Sequence, residues 1–159
     1  MSDLIQMDFN EVLLKIKQSK ASALSEVNKV LIELYWSLGE YITQKSTKDN
    51  WGKSVVNELA NFIQAHEPNI KGFTSRNLWR MKQFYETYHE NLKLTPLVTQ
   101  VTWSNHLLIM SVSKSNDEIE FYLKLCINER YSKRELERQI KSSVYERTLL
   151  VEKTFSNRV

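Results

Sequence analysis

Apolar residues in the first third of the chain recur at helical spacing. Phe9, Leu13 and Ile16 begin the pattern. The clearest series steps by threes and fours through six positions: Leu24, Val27, Leu31, Leu34, Leu38 and Tyr41. This spacing predicts one long helix, or two helices broken near residues 19–22, ending near Lys45. The stripe suits the core of a helical bundle or, over about two and a half heptads, a dimeric coiled coil.

Shorter helices are predicted after this first element. Glu67-Pro68 ends the second helix, Thr74 or Ser75 caps the third, and Thr102 or Ser104 caps the fourth. Ser-x-x-Glu capping boxes at 115–118 and 132–135 open the last two. Leu136, Ile140 and Val144 form the apolar side of the final helix. The predicted helices cover about residues 51–65, 75–88, 103–110, 116–129 and 133–144.

The segment 95–101 interrupts the helical pattern. Pro96 excludes a helix through its middle, and the following residues 97–101 suit a short extended piece. The predicted fold class is therefore all-α, a multi-helix bundle with a helix-turn-helix-like unit and a small β-wing near 95–101. One helical domain is predicted over residues 1–150, and residues 151–159 are predicted to be a tail or the start of a linker.

Composition supports long helices and a reducing compartment. Only three glycines and two prolines occur in 159 residues, too few for the many turns of an all-β fold. The single cysteine, Cys126, excludes an intramolecular disulfide. The N-terminus lacks the basic and apolar regions of a signal peptide, and no apolar run is long enough to span a membrane. A cytoplasmic location without membrane contact is expected.

No catalytic or metal-binding motif is present. His66, His89 and His106 are widely spaced, and neither His66 nor His89 has a second ligand at i+3 or i+4. Phosphate-binding glycine loops and the Glu-x-Lys of restriction-type nucleases are also missing. The sequence therefore predicts a binding domain that is not an enzyme and needs no cofactor. His106 is expected to bond to a partner or a phosphate.

Positive charge is concentrated in two segments. Residues 71–93 hold five Lys or Arg against two Asp or Glu, and residues 129–159 hold eight against five, so each segment carries +3. Residues 1–70 carry seven against nine, or −2. This asymmetry favours contact with a polyanion more than the overall charge of +3 does.

The third predicted helix carries side chains suited to DNA bases. If Leu78, Met81, Tyr85 and Tyr88 are buried, the opposite side exposes polar residues, whose paired donors and acceptors match guanine and adenine edges. A preceding helix and a connection of about eight residues give a helix-turn-helix order, although compact examples use three or four residues. An ordinary solvated helix face is the alternative. The predicted DNA-contact residues here are Arg76, Asn77, Arg80, Lys82 and Gln83.

The last predicted helix offers a second basic side. Arg134, Arg138 and Lys141 share one side and suit contact with phosphates. Glu137 interrupts the positive charge, a mixture that is also typical of a solvated helix.

Four ordered strings carry a family resemblance. They are Leu34-Tyr-Trp-Ser-Leu-Gly-Glu-Tyr-Ile42, Phe73-Thr-Ser-Arg-Asn-Leu-Trp-Arg-Met-Lys-Gln-Phe-Tyr85, Thr102-Trp-Ser-Asn-His106, and Tyr131-Ser-Lys-Arg-Glu-Leu-Glu-Arg-Gln-Ile140 with Tyr145-Glu-Arg147. Over about residues 10–150 the chain resembles the N-terminal domain of the YhcG family of bacterial proteins.

The resemblance implies a helix-turn-helix-type DNA-binding module that precedes a PD-(D/E)XK nuclease domain. The expected function is to bring that nuclease domain, in cis or in trans, to DNA. The alternative is a protein-interaction or oligomerisation module whose long N-terminal helix carries the partner surface, for example as a homo-oligomer.

Overall fold

The computed structural model describes residues 3–157. Two residues at each chain end therefore lie outside it, including the start of the predicted domain 1–150 and the end of the predicted segment 151–159. All regular structure in residues 3–157 is helical, which confirms the all-α class. The α-helices are α1 (Asp3–Lys48), α2 (Lys53–His66), α3 (Ser75–Tyr88), α4 (Trp103–Val112), α5 (Asn116–Glu129), α6 (Lys133–Lys141) and α7 (Val144–Ser156).

The first helix is continuous over 46 residues, and its buried side differs from the predicted stripe. Residues 3–27 are all exposed. Of the predicted stripe, Leu24, Val27, Leu34 and Tyr41 are exposed, and only Leu31 and Leu38 are half-buried, so its assignment to a bundle core was wrong. The buried residues of α1 lie on a neighbouring side of the helix: Ile32, Tyr35, Gly39 and Ile42.

Gly39 explains which side of α1 is buried. A Cβ atom built on Gly39 would lie 2.1 Å from the backbone oxygen of Met81 and 2.7 Å from its carbonyl carbon. Only a residue without a side chain permits α1 and α3 to approach this closely. The helix therefore turns Gly39 toward α3, and this rotation leaves the predicted stripe in water.

Two hydrophobic clusters lie along α1 and α3. One contains Tyr35, Ile42, Val56, Leu78 and Met81, and it joins α1, α2 and α3. The other joins Ile32 of α1 and Phe84 of α3 to the 3-10 helix and to helices α4, α5 and α6. Trp103 packs against both clusters. The C-terminal half of α1 and all of α3 thus form the centre of the domain.

The predicted β-wing is absent, because Thr95–Gln100 forms a 3-10 helix with Pro96 in its first turn. Backbone carbonyl groups of this segment accept hydrogen bonds from side chains, and not from a neighbouring strand. The Asn28 amide donates to the Thr99 and Val101 oxygens at 3.1 and 3.2 Å, and His106 Nε2 donates to the Val98 oxygen at 2.7 Å. These bonds satisfy groups that a strand would have offered to a sheet edge.

Helix starts largely follow the predicted caps. The hydroxyl groups of Thr74, Thr102, Ser115 and Ser132 each accept a hydrogen bond from the backbone three residues on. The two predicted capping boxes are only half formed: Glu118 accepts from the Lys114 backbone, and Glu135 pairs with Arg138.

The final predicted helix is two helices. Ser143 adopts a left-handed conformation with φ +58°, which ends α6 before Val144. Arg147 stabilises the corner by donating from Nε to the Ser142 carbonyl oxygen at 2.9 Å. Val144 therefore belongs to α7, a correction of the prediction, and α7 continues through residue 150 without interruption.

Gly39→Ala should lower the free energy of unfolding, because the new methyl group would overlap the Met81 carbonyl. Overpacking of a core typically costs about 1–3 kcal/mol, and the better helix propensity of alanine offsets at most about 1 kcal/mol of this. Urea unfolding followed by circular dichroism measures the change.

Gly52→Ser is the matched control. A Cβ on Gly52 has no atom within 4 Å, the residue occupies the N-cap of α2, and serine is a preferred N-cap. Equal destabilisation by both substitutions would contradict the close-approach argument.

His106 should make stability depend on pH. The ring is fully buried and donates to the Val98 oxygen, and burial lowers its pKa to about 4 from 6.5. Since the unfolded chain binds the proton more readily, this residue's contribution is present above pH 6.5 and is lost as pH falls toward 4. The shift corresponds to about 3 kcal/mol.

His106→Gln keeps a donor for the Val98 oxygen but cannot titrate. We expect the free energy of unfolding of this variant to fall less between pH 6.5 and 4 than that of the parent chain. His66→Gln, at an exposed site, should retain the parent's steeper slope. Identical slopes for the parent and His106→Gln would refute the assignment.

Candidate nucleic-acid interface

Helix α3 has one buried side and one polar side. Leu78, Met81, Phe84 and Tyr88 are buried. Arg76, Arg80 and Gln83 lie on the other side, with Arg76 and Gln83 exposed and Arg80 half-buried. Among residues 3–157 none of these three side chains has a hydrogen bond or ion pair. The two guanidinium groups are thus available to an external acceptor.

Asn77, in contrast, is used inside the fold. Its Nδ2 donates to the Gly72 carbonyl oxygen, and its Oδ1 accepts from Trp103 Nε1 at 2.9 Å. Both ends of the amide therefore hold the α2–α3 connection and α4 in place. We omit Asn77 from the candidate interface for this reason.

Lys82 is also engaged within α3. Its Nζ pairs with the Glu86 carboxylate and lies 5.7 Å from the centre of the Trp79 ring. An exposed pair at i,i+4 contributes little to stability, but it neutralises the lysine. Lys82 lies on a different side of α3 from Arg76, Arg80 and Gln83.

A connection of three residues, the length found in compact helix-turn-helix motifs, joins α5 to α6, whereas a longer connection joins α2 to α3. Residues 67–74 separate α2 from α3, whereas only residues 130–132 separate α5 from α6. Arg130 has φ +52° and ends α5 in the left-handed conformation usual at such turns. Helix α4 packs against both α5 and α6. A turn of three residues is typical of the DNA-binding motif.

Helix α6 has a basic side opposite its buried Leu136. Arg134 and Lys141 are exposed and have no ion pair or hydrogen bond among residues 3–157. Arg138 pairs with Glu135, and Lys133 lies 3.7 Å from Glu137. Because these pairs are exposed and weak, a phosphate could replace either carboxylate. The predicted set Arg134, Arg138 and Lys141 does share one side.

The two polar sides belong to helices that both pack against α4. Helix α3 contacts α4 on one side of the domain, and α6 contacts it as well. Thr87 of α3 lies near Met110 at the end of α4, with Oγ1 and Sδ 3.8 Å apart. The buried position of His106 corrects the expectation that this ring bonds to a partner or a phosphate. Its role is to join α4 to the 3-10 helix.

Two further features of residues 3–157 bear on the kind of site. No three side chains among His, Cys, Asp and Glu come together as a set that could hold a metal ion. None of the described helices is both long and apolar enough to cross a membrane.

These features define a helical domain with a helix-turn-helix order and two basic sides. Residues 11–147 match the DUF1016 N-terminal domain, and the chain belongs to that family. This is the N-terminal domain of the YhcG family, so the resemblance drawn from the four strings is confirmed. No curated protein and no solved structure matches the chain.

The sequence analysis assigned the helix-turn-helix unit to α2 and α3, and this assignment stays a prediction; the shorter connection of three residues lies between α5 and α6. A short gap between the predicted helices ending near Glu129 and starting after Ser132 was visible in the sequence. This gap predicts a turn of three residues between the two helices. The Arg, Asn and Gln residues at the start of α3 favoured the second and third helices instead.

Asn77→Ala should destabilise the domain, whereas Gln83→Ala should not. Removing the amide leaves Nε1 of the half-buried Trp103 and the Gly72 oxygen without this partner, at a cost of about 1–3 kcal/mol. Thermal unfolding measures both variants, and Trp103 fluorescence should shift only in Asn77→Ala. Equal melting temperatures for the two variants would show that the amide is dispensable.

Proposed function

We propose that this domain binds DNA, with α6 as the principal contact and α3 as a second one. The observation that carries the proposal is the three-residue turn between α5 and α6, together with Arg134 and Lys141 on the exposed side of α6, which have no ion pair within the described part of the chain, 3–157. Helices presented in this order enter the major groove or follow the backbone in known DNA-binding proteins.

The α6 residues suit phosphates. Arginine and lysine side chains that neutralise phosphates release counterions and supply affinity that is independent of sequence. The exposed face of α6 carries Arg134, Arg138 and Lys141 and leaves Leu136 in the core. The contact can therefore form without disturbing the packing of α6.

The α3 residues suit bases or a second stretch of backbone. Arg76 and Arg80 are one turn apart, and neither has an ion pair with any residue that the structure describes. A guanidinium bonds in bidentate fashion to guanine. Gln83 continues the same side and offers both a donor and an acceptor. We assign base recognition to this group.

The family context extends the proposal to a partner. As a YhcG-type N-terminal domain, the chain would position a PD-(D/E)XK nuclease domain on DNA, in cis or in trans. Cleavage would belong to that domain, and the 159-residue chain would not be an enzyme. A duplex incubated with this chain and Mg²⁺ should accordingly be recovered intact.

The double variant Arg134→Ala/Lys141→Ala should weaken binding to all duplexes alike. Each lost phosphate contact reduces the slope of log affinity against log salt by about 0.9, so the double variant should lower it by about two. Fluorescence anisotropy with a labelled duplex at several salt concentrations measures both quantities.

Lys53→Ala is the matched control, because Lys53 is exposed and unpaired at the start of α2 and away from α6. It should leave affinity and slope unchanged. Arg80→Ala should weaken binding with a cost that differs between duplex sequences, about 1–3 kcal/mol for the preferred one. A parent chain whose affinity is low and indifferent to salt would overturn the proposal.

A further inference from the structure

Helix α1 presents an exposed apolar side along most of its length, and only Tyr41 at its C-terminal end has a described aromatic partner, the Trp51 ring. At 3.6 residues per turn, eight large side chains line one side, about a third of a turn from the buried side that contains Tyr35 and Gly39. Their exposure ranges from 43% to 66%. We call this set the apolar flank of α1: Phe9, Val12, Leu13, Ile16, Val27, Val30, Leu34 and Tyr41.

The flank is larger than the isolated surface leucines of ordinary proteins. Exposed apolar stretches of this kind mark contact sites. If each side chain contributes about 100 Å², one helix offers roughly 800 Å². Two such surfaces together give about 1,600 Å², the usual area of a stable protein interface.

We propose that the apolar flank binds the flank of a second copy of this chain in an antiparallel arrangement. Centred near residue 25, such a pairing places Phe9 beside Tyr41 of the second copy, and Ile16 beside Leu34. Residues 3–27 of α1 are then the arm that covers the flank next to the other domain. This requirement accounts for a helix that extends so far beyond its own core.

The order of charges along α1 favours the antiparallel direction. Residues 3–11 carry −3, residues 15–20 carry +3, residues 26–33 carry −1 and residues 40–48 carry +1. With residue 25 at the centre, residues 15–20 (+3) lie against residues 30–35 (−1), and Asp3 lies opposite residue 47, between Lys45 and Lys48, so that opposite signs meet at these positions. A parallel pair in register would set each block against itself, and close like charges oppose association.

This inference goes beyond DNA binding and stands without it. It gives the long helix a specific partner, and it would place the two basic surfaces of the dimer at opposite ends of the paired helices. The interface is distinct from the sides of α3 and α6 assigned to DNA.

The mass of the chain in solution tests the proposal. Light scattering after size exclusion should give twice the chain mass for the parent and the single-chain mass for Ile16→Glu. Leu14→Glu is the matched control, since Leu14 is similarly exposed at 54% but lies nearly opposite Ile16 on α1. It should keep the doubled mass, and circular dichroism should show that both variants remain helical.

Cysteine cross-linking tests the direction. Ile16→Cys and Leu34→Cys should each fail to form a disulfide-linked dimer alone and should form one when mixed. The native Cys126 does not compete, because burial raises the pKa of its thiol to about 11. A single-chain mass for the parent, loss of the doubled mass in Leu14→Glu, or cross-linking of either cysteine variant alone would overturn the proposal.

Discussion

The backbone contact between Gly39 and Met81 fixes the geometry of this domain. Two helices that touch through a glycine must meet along one side of each, and this contact selects the buried side of α1. Tyr35 and Ile42 then enter the cluster with Leu78 and Met81. Within residues 28–48 the same rotation leaves Val30, Leu34 and Tyr41 exposed. Residues 3–27 extend beyond the core and are exposed on every side.

The contact with α1 also sets the orientation of α3, and therefore the direction in which the polar side of α3 faces. With Met81 and Phe84 fixed against α1, Arg76, Arg80 and Gln83 lie on the other side of α3, where their side chains have no hydrogen-bond or ion-pair partner among residues 3–157. Asn77 lies on the border between the two sides, where its amide joins the Gly72 carbonyl to the Trp103 indole. The centroid of the Trp103 ring lies 4.8 Å from that of Tyr35 and 5.3 Å from that of Phe84, so α4 packs against the same two helices, α1 and α3. The position of α6 follows, because α6 packs on α4.

The proposals for DNA and for a second copy use different surfaces and different physics. Phosphate binding by α6 rests on charge and falls with salt, whereas the flank of α1 rests on apolar area. The two basic sides are short and carry few residues each, which suits modest affinity for a single domain. Pairing of two domains would raise affinity by linking two contacts on one duplex.

Sequence alone determined most of the helices, most of their caps and the family. Periodicity and the hydroxyl residues at 74, 102, 115 and 132 are local signals, and local hydrogen bonding settles them. Tertiary structure decided the rest. The apolar residues of α1 outnumber what one side can bury, so only the contact at Gly39 could choose between sides. The amide of Asn77 could bond equally well to a base or to Trp103. The packing of α4 beside α3 decides that it bonds to Trp103. Residues 95–101 became a 3-10 helix because Asn28 and His106, distant in sequence, supply their hydrogen bonds.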